Sequence, residues 1–179
     1  MAESDPSQPA GILTELLREE ARLIPRLRGV FRFDASVYRE IEKDPNAIPA
    51  AFTVVLAASV LAGFGRTSLA GIFLGVALAV LFWGLCSALI WAVAAVVLGR
   101  VPDYARLVRC LGFAYAWNAL WICALLPWIG SLFEWAAALL WTASAVVATR
   151  EALQITANQV FLICVLSLAA PLVVFGLLA

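Results

Sequence analysis

The stretch TSLAGIFLGVALAVLFWGLCSALIWAVAAVVLG, Thr67 to Gly99, runs for thirty-three residues without a charged side chain. About 20 apolar residues carry a helix across roughly 30 Å of hydrocarbon. Thirty-three exceed one upright crossing but leave no room for two crossings and a turn, so the stretch predicts one tilted or overhanging transmembrane helix. The neighbouring sequence repeats the pattern on both sides. Upstream, Arg66 separates it from a charge-free run beginning at Pro45, whose segment Ala47–Phe64 is long enough to span. Downstream, Arg100-Val101-Pro102-Asp103 breaks the chain, and a third span is predicted over 107–126. Pro127-Trp128-Ile129-Gly130 reads as a tight turn that sets a fourth span, 131–148, antiparallel to the third. After a polar connector, Arg150–Asn158, a last span covers 160–179, where Pro171 is tolerated as it is in membrane helices.

Composition agrees with this reading. Of the 179 residues, 64% are hydrophobic and 13% charged, far from the roughly 45–50% and 25% of soluble domains. Sixteen of the twenty-four charges lie before Pro45, as seven bases and nine acids. The expected architecture is therefore all-α: a cytoplasmic arm over residues 1–44, and a five-helix transmembrane domain over 45–179 with spans at 47–65, 69–99, 107–126, 131–148 and 160–179. Basic residues in short flanks set orientation. The arm, Arg100, Arg106, Arg109 and Arg150 place eleven on one side and only Arg66 on the other, so the N-terminus is expected in the cytoplasm and the C-terminus outside. Nothing in the polar, acidic Met1–Ala10 resembles a signal peptide. Eleven arginines against the single Lys43 suggest a GC-rich bacterial genome, and with it the inner (plasma) membrane.

Within the arm, Ile12, Leu13, Leu16, Leu17, Leu23, Ile24 and Leu27 recur at near-helical spacing among charges, which predicts an amphipathic helix reaching at least Pro25. Such a helix can lie in the headgroup region, dock on a partner, or fold back on its own bundle. Asp34 can cap a second short helix carrying Val37, Tyr38 and Ile41, which Asp44-Pro45 ends. Phe31 and Phe33, just ahead of it, can anchor the arm at the interface. The candidate partner-binding residues are Ile12, Leu13, Leu16, Leu17 and Tyr38.

Catalytic signals are missing. There is no histidine, hence neither the commonest general base nor the commonest transition-metal ligand. Cys86, Cys110, Cys123 and Cys164 lack metal-site spacing and lie in apolar runs, where a thiol behaves as a small hydrophobe. No catalytic, metal or cofactor site is expected, and the balanced charge of the arm argues against a nucleic-acid binder and against a polybasic lipid anchor. Glu134 is the one carboxylate inside an apolar segment, by default an ion or proton site. The spacing Ser131-x-x-Glu134 favours a helix-capping box instead. Asn118 lies mid-span near Tyr115, Trp117 and Trp121, where interhelical hydrogen bonding outweighs ligand binding as its expected role. Gly71-x-x-x-Gly75 allows close helix packing, inside the bundle or, less often, between two copies in a homodimer.

Several patterns together resemble the Yip family, named for Ypt/Rab-interacting proteins. They are VYREIEKDPNA at 37–47, LVRCLGFAY at 107–115 with its glycine-aromatic pair, the turn at 127–130, and Arg150-Glu151-Ala152-Leu153 leading to Thr156. Where family members often carry a proline soon after the glycine-aromatic pair, this chain reads Ala116-Trp117-Asn118. The resemblance, of the bacterial branch, implies five membrane helices, a cytoplasmic N-terminal region and membrane-associated scaffolding without a named partner. The expected function is non-enzymatic: a scaffold, recruitment factor or accessory subunit contacting the bilayer and other membrane proteins. The alternative is a small carrier or lipid-moving protein with a polar path around Asn118 and Glu134.

Overall fold

The computed structural model describes residues 22–64, 69–126 and 128–178, all helix and turn among those residues. Residues 22–30 form helix α1, followed by α2 (Ala35–Lys43), α3 (Ala47–Phe64) and α4 (Leu69–Leu98). Then come α5 (Tyr104–Ala114), a 3₁₀ helix (Tyr115–Leu125), α6 (Gly130–Leu153) and α7 (Ala157–Leu178). Three helices, α3, α4 and α6, are long and apolar enough to cross a membrane.

The helix ends follow local chemistry. Asp34 caps α2 by accepting from the Ser36 amide at 2.8 Å, as its position ahead of the apolar periodicity predicts. Asp44 closes α2 through its own N–H and, two residues on, accepts from the Asn46 amide as the chain turns into α3. Pro49 falls in the first turn of α3, where a missing N–H costs no intrahelical bond. Phe33 and Gln154 adopt left-handed conformations that end α1 and α6.

Two expectations about the bundle need correcting. The stretch expected as one α-helix over 107–126 is α-helical only to Ala114 and then 3₁₀ for eleven residues. At about 2.0 Å rise per residue, those eleven residues cover roughly 22 Å rather than 16 Å. Asn118 Nδ2 donates to the Tyr115 carbonyl at 3.3 Å, an i to i−3 contact that suits the tighter winding. The second correction concerns the capping box. Helix α6 starts at Gly130 with Ile129 at its N-cap and no side-chain cap, which puts Ser131 already inside the first turn. The capping box instead opens α7, where Gln159 Oε1 accepts from both the amide and the hydroxyl of Thr156 at 3.1 Å. Helix α6 also continues five residues past its expected end, because Thr149, Ala152 and Leu153 are buried against the arm and bundle.

Small residues set the packing. Ala47, Ala51, Val54, Val55, Ala58 and Ser59 form the buried face of α3 at i, i+4, i+7 spacing. A Cβ added at Gly112 would lie 2.7 Å from that of Ala51 and 3.1 Å from the Trp83 ring, so the glycine is what lets α3, α4 and α5 meet. Hydroxyls within the bundle bond back one turn: Ser59 to Val55 O at 2.6 Å and Ser87 to Trp83 O at 2.8 Å. As the turn before it predicts, α6 packs along α5 and the 3₁₀ helix. Of the three spanning helices α4 is the least buried, with 11% of its most apolar window buried against 33% for α3.

Candidate functional site at the junction of arm and bundle

The α2 sequence puts Tyr38, Ile41 and Glu42 on one helical face, two apolar bodies and one carboxylate. That face is buried against α5 and α6. The Tyr38 hydroxyl and the Ser144 hydroxyl of α6 share a 2.5 Å hydrogen bond, and burial pushes the phenol pKa up. Cys110 donates weakly to the Tyr38 carbonyl at 3.7 Å.

Glu42 is 2% exposed and serves as the hub. Its Oε1 accepts from Arg106 Nη1 at 2.7 Å and from Gln154 Nε2 at 3.1 Å, while its main-chain carbonyl accepts from Arg109 Nη2 at 2.8 Å. One residue of α2 thus ties down α5 and the end of α6. The left-handed turn at Gln154 (φ 53°) is what aims that amide at Glu42. On the surface side, Arg39 pairs with Glu151 of α6 at 3.3 Å.

Helix α1 folds back along α2. Gly29 packs so tightly on Val37 that a Cβ there would run into the valine. Arg26, almost fully buried, donates to Glu40 at 2.9 Å and to Asp44 at 2.7 Å. Burial opposes the charge on Arg26, but these two carboxylates outweigh it and raise its pKa. Burial likewise works against the Asp44 carboxylate, and Arg26 overcomes it, holding that carboxyl below the usual range. The loop between the helices clasps Trp117 of the 3₁₀ helix, with Phe31 edge-on at 4.9 Å and Phe33 stacked at 5.3 Å.

The residues singled out from sequence fall in several places. Ile12, Leu13, Leu16 and Leu17 lie outside the described residues. Tyr38 is wholly internal, so what it contacts is the chain's own bundle. Asn118, Gly71 and Gly75 come together along one groove of about 350 Å³, shared with Ser59, Tyr115 and Trp121. A Cβ at Gly75 would meet nothing within 4 Å. Glu134 is not among the groove's walls. The residues that build the junction, Arg26, Glu42, Arg109 and Ser144, were not singled out. A carboxylate on the apolar face of α2 and an arginine at the mouth of the third apolar run were the signals available.

The family model described as the Yip1 domain matches residues 28–178, from the end of α1 through α7. The chain belongs to the Yip1 domain family. The Yip1 domain therefore takes in the α1–α2 loop as well as the apolar helices, in keeping with the way Val30 and the buried face of α2 join its core. No curated protein and no solved structure matches the chain. With three helices able to cross a bilayer and a Yip1 domain over most of its length, the chain is an integral membrane protein.

Proposed function

We propose that this Yip1-domain protein is a non-enzymatic scaffold, recruitment factor or accessory subunit of the bacterial inner membrane, which holds its arm rigidly at the cytoplasmic surface for other membrane proteins to bind. On this reading residues 1–44 are the cytoplasmic arm and 45–179 span five times. The third crossing is made by α5 and the 3₁₀ helix together, and the fifth by α7. The observation that supports it is the α1–α2 hairpin itself: its inner face is clamped to the bundle, while Ile24 stands 71% exposed beside Arg28 and Arg32 on the outer face. An isolated large apolar side chain is ordinary on a surface, but here it continues the apolar periodicity of Ile12, Leu13, Leu16 and Leu17. The test is purification of the intact protein in mild detergent. A stoichiometric partner, lost in the L16E/L17E/I24E variant, is expected; a folded chain that purifies alone counts against the reading.

A second reading, a carrier or lipid-moving protein, draws on the groove at Asn118, since an amide between membrane helices offers the polar step such a path requires. Reconstituted flux that survives N118L with E134Q would count heavily against it.

A further inference from the structure

Carboxylates and cations are sorted by depth in a cavity of about 270 Å³ between α2 and the end of α6, lined by Arg39, Glu42, Lys43, Arg150, Glu151 and Gln154. Formal charge there is close to balanced, but the two acids lie at the floor. Glu42 is 2% exposed and already engaged by Arg106 and Gln154; the Glu151 side chain is 13% exposed and engaged by Arg39 at 3.3 Å and Arg150 at 3.8 Å. The cations face outward, with the Arg39 and Arg150 side chains 59% and 56% exposed and Lys43 exposed with no ion pair among the described residues. Glu151 acts as a strut between the two guanidiniums, leaving each with free N–H groups.

Basic residues near a helix C-terminus often do no more than bond the last carbonyls. At the end of α6 those carbonyls are taken by other groups. The Arg150 carbonyl accepts from the Ile155 amide, that of Glu151 from the Gln154 amide, and that of Leu153 from Arg100 Nη2 at 3.1 Å. The guanidinium of Arg150 is therefore not needed as a cap. On the proposed topology it lies where α6 leaves the hydrocarbon, at the depth of phospholipid headgroups.

We infer that this cavity binds a phosphate-bearing anion between Arg39, Lys43 and Arg150, supplied by an anionic phospholipid headgroup of the cytoplasmic leaflet. Two forked guanidiniums held by one carboxylate suit bidentate contact with phosphate oxygens, and the lysine adds a mobile point charge. Basic pockets between helices at the cytoplasmic end of a bundle are suited to such headgroups. The inference rests on the inward-facing arm proposed above.

The experiment is native mass spectrometry of the full-length protein titrated with dioleoylphosphatidylglycerol or dioleoylphosphatidylcholine. The expected result is one tightly retained phosphatidylglycerol per chain, with retention falling about fivefold for each cation removed in R39Q, K43Q and R150Q. The control R22Q/R28Q/R32Q removes as much charge as R39Q/K43Q/R150Q, from α1 and the loop after it, and is expected to keep that lipid. Equal retention of both lipids, or an equal loss in the control, overturns the inference. Thermal stabilisation by inorganic phosphate matching that by phosphatidylglycerol overturns the lipid as source. Topology is read separately with an impermeant thiol label at D103C. Labelling from outside would sink the proposed orientation, whereas loss of anion preference in R39Q/K43Q/R150Q alone concerns only this site.

Discussion

Glu42 and Tyr38 show how two polar atoms on one helical turn come to govern a membrane bundle. A buried carboxylate persists only where its desolvation is offset by donors, and here those come from α5 and the α6 end. Replacing Glu42 with Ala leaves Arg106 paired with Asp103 at 3.2 Å and frees Gln154. Because Arg106 reaches solvent, we expect a loss of about 3 kcal/mol, the low end for a broken buried pair, read as a fall in the unfolding midpoint in detergent. Tyr38→Phe should cost about 1 kcal/mol by leaving the Ser144 hydroxyl unpaired, and adding Ser144→Ala should recover part of it in a double-mutant cycle. Asp44 supplies a pH dependence. Its folded pKa is depressed, so its contribution is present above the unfolded value near 4 and is lost as pH falls through the folded value. Unfolding midpoints measured downward from pH 5 should therefore drop in the native chain, and less steeply in Asp44→Asn.

Among the elements, α2 follows its sequence closely, from the cap at Asp34 to the stop at Asp44-Pro45, because both signals act through bonds within two or three residues. The lengths of the uncharged runs likewise place the ends of α3 and α4 to within a residue or so. The 3₁₀ helix is different, since nothing in the run Tyr115–Leu125 distinguishes it from an apolar α-helix. Besides α6, which follows it directly, its neighbours are distant in sequence: Phe31 and Phe33 hold Trp117, and α3 packs along its length. Gly112 belongs to this scale too, as the point where three helices converge. Gly112→Ala should destabilise the bundle by about 1–3 kcal/mol through overpacking, and Ala51→Gly should restore part of that, as thermal scans of the single and double variants would read.

At the scale of the whole molecule, the proposed topology predicts that an impermeant thiol reagent applied outside intact cells labels Thr67→Cys and not Asp103→Cys or Gln154→Cys. Labelling of Gln154→Cys from outside would remove one crossing from the count. The sequence by itself determined that the chain is helical and membrane-embedded, that it resembles the Yip family, and where α2, α3 and α4 begin and end. Hydrocarbon thickness, caps and breakers act on contiguous residues and can be read along the chain. It offered Phe31 and Phe33 as anchors at the membrane interface and left the arm to lie on the membrane, on a partner or on its own bundle, but did not show the clasp around Trp117. Only the tertiary structure decided that Tyr38 faces inward, that Glu42 joins three helices, and that Arg39, Lys43 and Arg150 ring one cavity. The partners of Glu42 are separated from it by 64 to 112 residues, so no local pattern encodes them. Burial of a carboxylate among donors appears only when the helices close around it.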